Sequence, residues 1–113
     1  MKPKFSIIVP VYNRPDELLE LLGSLSAQSF RDFELVVIED GSQFSSAHLI
    51  STYKDKFPLI YLEQENTGPA IARNNGMKAA RGEYFLFIDS DCMAPADWLE
   101  SLATALKANP IDA

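Results

Sequence analysis

The chain has 113 residues, of which 47% are hydrophobic and 23% charged, a composition that suits one small domain with a single core. Sixteen acidic residues against ten basic ones give a formal charge of −6, and the lack of a basic cluster excludes an ordinary nucleic-acid binder. No apolar stretch approaches the roughly 18 residues that suggest a membrane span, and a single cysteine, Cys92, excludes an internal disulfide framework.

The chain then alternates strand-like and helix-like segments. The first strand ends near Pro10, which cannot donate to a strand ladder, and Pro15 suits the first turn of the helix that follows. Gly82 is placed to end the third helix. In chain order we predict a strand at 5–9, a helix from 15 with Leu18, Leu22 and Leu25 in one stripe, a strand at 33–38, a helix with Leu49, Ile50, Tyr53 and Phe57 in one stripe, a strand at 59–62, a helix at 69–80, a strand at 84–88 and a helix at about 96–108.

The strands at 33–38 and 84–88 contain continuous apolar runs, which indicate strands covered on both faces, as in a parallel sheet. The pattern therefore predicts an α/β fold, a Rossmann-like three-layer α/β/α sandwich with a mainly parallel sheet. Ligands of such sheets bind at the carboxyl ends of the strands. The stretches that directly follow the strands are Pro10 to Arg14, Glu39 to Ser42, Glu63 to Gly68, and Asp89 to Cys92.

The pair Asp89 and Asp91 is the strongest chemical pattern. In extended geometry, residues two apart point to the same side, so both carboxylates would enter one crevice. Their repulsion favours a divalent cation such as Mg²⁺ or Mn²⁺, which would bridge phosphate oxygens and compensate for the acidic charge of the chain. The alternative is a strand-ending turn in which Asp89 or Ser90 caps the following helix.

Three other strand-end groups have both a binding and a structural interpretation. Asp40 could accept a hydrogen bond from a base N–H, or could bond its own backbone in an ordinary turn. Tyr12 could stack on a flat base, or could pack on the edge of the core. Arg73, one turn into the third helix, could reach a diphosphate, or could form a surface salt bridge.

Together these stretches resemble family 2 glycosyltransferases of the GT-A fold. The resemblance rests on motifs in a fixed order that cover nearly the whole chain. They are Ser-Ile-Ile-Val-Pro-Val-Tyr-Asn from Ser6, Glu-Asp-Gly-Ser from Glu39, Asn-Thr-Gly from Asn66, Ala-Arg-Asn-Asn-Gly from Ala72, and Gly-Glu-Tyr with Asp-Ser-Asp from Gly82 to Asp91. The match is to the half of these enzymes that binds the nucleotide-sugar donor.

The resemblance implies a function for each matching position. Pro10 and Tyr12 would contact the base, and Asp40 would pair with its ring N–H. The residues implied to bind the nucleotide sugar, which is usually UDP-linked in this family, are Pro10, Tyr12, Asn13, Asp40, Arg73, Asp89 and Ser90, with Asp91 and Asp89 at a Mn²⁺ or Mg²⁺ ion. Glu39 stands where an aspartate is commoner, and we expect little consequence because Asp40 keeps the key position.

The implied reaction is an inverting transfer of the sugar to an acceptor hydroxyl, on a carbohydrate or a lipid-linked acceptor. Family members continue for another hundred residues or more, and that half supplies acceptor contacts and a carboxylate base. We therefore expect residues 1–113 to form a donor domain, with the acceptor half absent and the base beyond Ala113. Such a fragment would bind donor without transferring sugar.

Two expectations concern the surroundings of the protein. The segment from Phe5 to Val11 is broken by Pro10 and lacks a small-residue cleavage site, so we expect no signal peptide and a cytoplasmic protein, peripheral at the inner membrane face in its full-length form. A sheet shortened by truncation would expose strand edges or apolar surface, which favours self-association into a homo-oligomer.

Three rival functions use similar residues. One is a non-catalytic nucleotide-binding module. Another is a magnesium-dependent phosphatase of the haloacid-dehalogenase type, but its Asp-x-Asp motif normally opens the chain and precedes a threonine, whereas Cys92 and Met93 follow Asp91 here. The third is a receiver domain, which would require a lysine after a late strand. Cys92 itself we expect to be a small buried packing residue.

Overall fold

The computed structural model describes residues 2–108. In chain order its elements are β1 (Phe5–Val11), α1 (Pro15–Ser26), β2 (Phe33–Asp40), α2 (Ala47–Tyr53), β3 (Leu59–Gln64), α3 (Pro69–Ala79), β4 (Tyr84–Phe87) and α4 (Trp98–Ala108). The predicted alternation of four strands with four helices is confirmed. Among the described residues, no helix has the length and apolar character that crossing a bilayer requires.

The four strands form one parallel sheet in the order β3-β2-β1-β4. β1 lies between β2 and β4, and Phe5 is aligned with Phe33 on one side and with Tyr84 on the other. Because all strands point the same way, their carboxyl ends meet at one edge of the sheet. The predicted α/β fold class is confirmed.

Helices cover both faces of the sheet. On one face α1, α2 and α4 pack on alternate residues of β1 and β2, and four of the five leucines of α1, at positions 18, 21, 22 and 25, are fully buried. On the other face α3 packs through Ala72 against Ile8, Val36 and Ile38. The central strands are thus buried on both sides, as their continuous apolar sequences predict.

β1 continues through Pro10 to Val11, two residues beyond the prediction. The Ile8 carbonyl accepts a hydrogen bond from the Ile88 N–H at 3.3 Å, so Ile8 faces β4. Alternate residues of a strand face the same neighbour, so Pro10 faces the β4 side as well, but β4 ends at Phe87, opposite Ile8. Proline is tolerated because no neighbouring strand requires its missing N–H.

Three helix boundaries differ from the prediction. α2 ends at Tyr53, so Phe57 is buried from the following loop instead of from the helix. α4 begins at Trp98 and not near position 96. The prediction that Gly82 ends the third helix is wrong: α3 ends at Ala79, and the Gly82 N–H donates to the buried Ser6 Oγ at 2.7 Å.

Gly82 belongs to a buried polar network at the amino ends of the strands. Glu34 on β2 is fully buried and accepts hydrogen bonds from the Ser6 hydroxyl and the Arg81 N–H, both at 2.6 Å. The Arg81 guanidinium lies 3.2 Å from the same carboxylate. Glu34 thereby ties the connection between α3 and β4 to β1 and β2, which fixes the position of β4 and of the acidic turn that follows it.

β4 is not covered on both faces, contrary to the prediction from its apolar sequence. Phe85 and Phe87 are aligned with Ser6 and Ile8, so they lie on the α3 face of the sheet. α3 packs over the other three strands, and both phenylalanines are exposed, by 38% and 45%. The apolar run of this edge strand therefore indicates correctly that both faces are apolar. It does not indicate that both faces are buried.

Candidate functional site

The loops after β1, β2 and β4 and the first turns of α3 meet around a cleft of about 370 Å³. It lies at the carboxyl ends of the strands, as the parallel sheet predicts. Its lining includes most of the predicted site residues, namely Pro10, Tyr12, Asp40, Arg73, Asp89, Ser90 and Asp91, together with Val11, Arg14 and Pro69. Residues up to 81 positions apart in sequence are thus brought together.

Tyr12 stands at the mouth of the cleft, in the loop that follows β1. The preceding residue, Val11, is buried, whereas the Tyr12 side chain is 49% exposed. The alternative that Tyr12 packs on the edge of the core is not what the structure shows. An exposed phenol ring beside a cleft presents a flat face on which a nucleobase can stack.

Asp40 is buried at the end of β2 and accepts three hydrogen bonds. Its Oδ1 accepts from the Thr67 N–H at 2.9 Å and from Gln64 Nε2 at 2.8 Å, and its Oδ2 accepts from the Gly68 N–H at 3.0 Å. Asp40 therefore bonds the connection between β3 and α3, not its own turn. A carboxylate offers about four acceptor positions, so one remains on Oδ2 for a ligand N–H.

These bonds keep Asp40 ionised. Burial raises the pKa of Asp40, but the hydrogen bonds from Thr67, Gln64 and Gly68 outweigh that effect and lower the pKa below its usual 3.8. Gly41 allows this close packing of loops. It has φ +67°, and a Cβ there would lie 2.5 Å from the Asn66 backbone nitrogen.

Asp89 and Asp91 lie in a turn. β4 ends at Phe87, and the Cys92 N–H donates to the Asp89 carbonyl at 3.1 Å. The expectation that extended geometry aligns the two carboxylates is wrong, although the turn brings both to the cleft. The helix-capping alternative also fails, because α4 does not begin until Trp98.

Two arginines bring positive charge to the cleft. Arg73 extends from α3, and its Nη2 lies 4.0 Å from Asp89 Oδ1, so its ion pair belongs to the cleft and not to a remote surface. Arg14 donates to both carboxylate oxygens of Glu17 at 2.9 Å. The Glu17 hydrogen bond and charge, with a smaller effect of Asp91, raise the pKa of Arg14. Sequence reasoning did not select Arg14, although it belongs to the first strand-end stretch.

The carboxylates can hold a divalent ion only with help from a ligand. Within residues 2–108, no three side chains of His, Cys, Asp or Glu come together as a metal site. Asp89 and Asp91 provide two carboxylates at an exposed turn, and Mg²⁺ commonly binds one or two carboxylates together with substrate phosphates and water. The residues therefore fit a metal–diphosphate unit better than a metal ion bound by protein alone.

Two residues lie elsewhere than expected. Asn13 does not line the cleft, and its side-chain oxygen accepts hydrogen bonds from the backbone of the loop between β2 and α2. Cys92 was expected to be buried, but it is exposed with its Sγ 4.0 Å from Asp91 Oδ1. It is exposed because the turn that carries it lies outside the sheet and before α4 begins.

The sequence model of the family described as Glycosyl transferase family 2 matches residues 6–113. The chain belongs to this family. It is 40% identical over 106 residues to an uncharacterized glycosyltransferase of Rickettsia felis, an alignment that covers 94% of this chain and 18% of the relative. It is 37% identical over 113 residues to poly(ribitol-phosphate) beta-N-acetylglucosaminyltransferase TarS of Staphylococcus aureus, with 96% of this chain and 20% of TarS covered.

Solved structures of glycosyltransferases share the fold. The crystal structure of S. aureus TarS in complex with UDP-GlcNAc superposes with a TM-score of 0.88 at 37% identity, covering 93% of this chain and 31% of that one. Mannosyltransferase PcManGT from Pyrobaculum calidifontis, in complex with GDP-Man and Mn²⁺, superposes with a TM-score of 0.82 at 30% identity, covering 97% and 34%.

These comparisons confirm the predicted family, the GT-A fold and the enzyme class. They also decide against the phosphatase and the receiver domain as alternatives. This chain spans about a fifth of the length of the two relatives and about a third of the length of the two solved chains.

Proposed function

We propose that this chain forms the donor site of an inverting glycosyltransferase that binds a UDP-sugar with Mn²⁺ or Mg²⁺ and transfers the sugar to an acceptor hydroxyl. One observation carries the proposal. Side chains from three separate segments, among them Tyr12, Asp40 and Arg73, line the same cleft as the Asp89–Asp91 turn. The aromatic ring and the buried acceptor match a nucleobase. The cation matches a diphosphate, and the two exposed carboxylates match its metal ion.

The uridine end is assigned to Tyr12 and Asp40. Uracil presents one ring N–H, and the free acceptor position on Asp40 Oδ2 can take one such donor while Tyr12 stacks on the ring. TarS is solved with UDP-GlcNAc and PcManGT with GDP-Man, so related structures accept either base.

The diphosphate end is assigned to Arg73 and the acidic turn. Asp91 and Asp89 would hold the metal ion, which neutralises negative charge on the departing nucleoside diphosphate when it is bound. Arg73 orients the diphosphate through its guanidinium, which suits phosphate oxygens. Its present ion pair with Asp89 is long, at 4.0 Å, so little is lost when the guanidinium turns to a phosphate.

Titration calorimetry with UDP, with and without Mn²⁺, tests the donor site. We expect binding that requires Mn²⁺, and at least an approximately tenfold loss of affinity in Asp91→Asn, because the variant removes a charged metal ligand. Asp55→Asn is the matched control. It is the same change at an exposed aspartate between α2 and β3, at the opposite edge of the sheet, and should leave affinity unchanged.

Mn²⁺ alone should bind weakly, because only two protein carboxylates are in place. Tight Mn²⁺ binding without UDP would contradict the metal–diphosphate assignment, and equal losses in both variants would contradict the role of Asp91. The absence of binding to UDP, GDP and dTDP would contradict the donor site itself.

A second candidate is donor binding without transfer by this stretch of chain. Of the three carboxylates that line the cleft in the described residues, Asp40 is assigned to its three protein hydrogen bonds and to the N–H of the base, and the other two are assigned to the metal. None is left to deprotonate an acceptor. An assay of sugar transfer and of UDP-sugar hydrolysis separates the two candidates: turnover supports a complete enzyme, and binding without turnover supports the donor module.

We also propose that the protein is cytoplasmic and that it self-associates through β4. Within residues 2–108 no strand pairs with the outer edge of β4, and Phe85 and Phe87 are exposed beside it, which supports the second proposal. The first is supported by the single cysteine, which fits a reducing compartment.

A further inference from the structure

Asn13 follows Tyr12 directly and joins two loops of the site. Its backbone has φ +52°, which makes it the one described residue other than glycine with a left-handed conformation. Its side-chain Oδ1 accepts hydrogen bonds from the N–H groups of Gln43, at 2.6 Å, and Phe44, at 3.0 Å. Asparagine is among the few residues that tolerate this backbone conformation.

A second connection returns from the same loop to Asn13. The Asn13 N–H donates to Ser42 Oγ at 2.8 Å, and the Ser42 hydroxyl in turn donates to the Glu39 carboxylate. Glu39 also accepts from the Ser46 N–H at 2.6 Å. The loop that carries Tyr12 is therefore anchored, through Ser42, on a buried carboxylate at the end of a central strand.

Tyr61 on β3 completes the anchor by donating to Glu39 at 3.1 Å. Burial, together with the adjacent Glu39 carboxylate and partly offset by a hydrogen bond with Ser45, raises the pKa of Tyr61 to about 12. The phenol therefore remains a donor at neutral pH. Three donors around one carboxylate make a rigid base for the two loops.

We propose that Asn13, fixed by Ser42 and Glu39, is a positioning residue that holds the Tyr12 ring at the mouth of the cleft before a nucleotide binds. The proposal rests on the donor site argued above. We call the hydrogen bonds of Asn13 to Ser42, Gln43 and Phe44 the Asn13 clamp. Without this clamp, Tyr12 would lie in a mobile loop, and binding would have to order the ring and its backbone. Holding the ring in advance removes that cost from the binding step.

Two substitutions separate the side-chain acceptor from the backbone conformation. Asn13→Gly keeps the left-handed backbone but removes the acceptor for Gln43 and Phe44, and we expect UDP affinity in the presence of Mn²⁺ to fall about tenfold. Asn13→Asp keeps both the acceptor and the tolerance of positive φ. Its affinity should stay within about twofold of the unsubstituted chain.

A double-mutant cycle with Tyr12→Ala tests whether Asn13 acts through Tyr12. If it does, Asn13→Gly should weaken binding little once the ring is absent, so the two losses should not add. A general loss of structure would weaken binding equally in both backgrounds. Additive losses, or an unchanged affinity in Asn13→Gly, would overturn the proposal.

A measurement without nucleotide keeps this test separate from the proposed function. In Asn13→Gly, amide hydrogen exchange at Gln43 and Phe44 should accelerate at least about tenfold, and NMR relaxation should show a more mobile Tyr12. Asn13→Asp should retain protection at both amides. If Asn13→Gly without nucleotide shows neither faster exchange nor a more mobile Tyr12, the clamp is refuted even where UDP binds. If the unsubstituted chain binds no nucleotide, only the donor site is refuted.

Discussion

Asp40 differs from the other two carboxylates of the cleft because protein N–H groups already surround it. Asp89 and Asp91 are exposed, whereas Asp40 is only 5% exposed and accepts from two backbone amides and from Gln64. It therefore shapes the connection between β3 and α3 before any ligand arrives. Loss of its charge should affect folding as well as binding.

Asp40→Asn should lower the free energy of unfolding at pH 7 by about 1–3 kcal/mol. The amide has only one oxygen, so its NH₂ group must face the N–H of Gly68 or Thr67, and at least one of these part-buried donors loses its acceptor. Urea unfolding followed by circular dichroism measures the change. Asp55→Asn serves as the control, and equal stability of the two variants would contradict the role given to Asp40.

The stability difference should depend on pH in a defined direction. Hydrogen bonding lowers the pKa of Asp40 in the folded chain below 3.8, against the effect of burial. Its stabilisation is then fully present above the unfolded-state pKa and is lost as pH falls through the folded-state value. The gap in unfolding free energy between the unsubstituted chain and Asp40→Asn should be constant near neutral pH and should narrow below about pH 4. A gap that widens in acid would show that folding raises the pKa of Asp40 instead of lowering it.

At the scale of elements, α3 packs close against the sheet at Gly76. A Cβ on Gly76 would lie 2.6 Å from Ile8 Cγ2 and 2.7 Å from Ile38 Cδ1. Both isoleucines belong to the central strands, so neither can move away easily. The short distance places the first turns of α3, which carry Pro69 and Arg73, against the cleft.

Gly76→Ala should therefore lower the free energy of unfolding by about 1–3 kcal/mol, because overpacking outweighs the gain in helix propensity. Gly23→Ala in α1 is a matched control. Its Cβ would meet nothing closer than the Tyr53 hydroxyl at 3.8 Å, so the same change should stabilise by up to about 1 kcal/mol. Thermal and urea unfolding should show a loss of unfolding free energy for Gly76→Ala and a gain for Gly23→Ala. A change in the same direction for both variants would contradict the packing argument.

The elements show why sequence predicted some features and missed others. The four strands and helices could be predicted because the apolar periods are strong and all four strand-end stretches carry polar groups. The turn at Asp89 could not, because the length of β4 is set by its pairing with β1 and not by its own apolar residues. The role of Asn13 was also missed, since its partners lie 29 to 31 residues away in a loop with no periodic pattern.

At the scale of the molecule, the outer edge of β4 has no strand partner among the described residues, and Phe85 and Phe87 extend the apolar surface beside it. We expect light scattering to show association that increases with concentration. Phe85→Lys should shift the protein towards the monomer, since a lysine on an edge strand opposes pairing. Phe44→Lys changes an equally apolar exposed residue on a loop away from β4 and should have no effect. A monomer at every concentration would contradict self-association.

The position of β1 in the middle of the sheet has a consequence for synthesis on the ribosome. β1 is made before the other three strands of the sheet and needs partners on both sides, and its second partner, β4, is aligned with it only when Tyr84 to Phe87 have emerged. At typical translation rates, roughly one to five seconds separate the emergence of β3 from that of β4. During that interval the nascent chain presents an unpaired edge of β1, so slow codons in this stretch would prolong the period in which that edge can pair with the wrong chain.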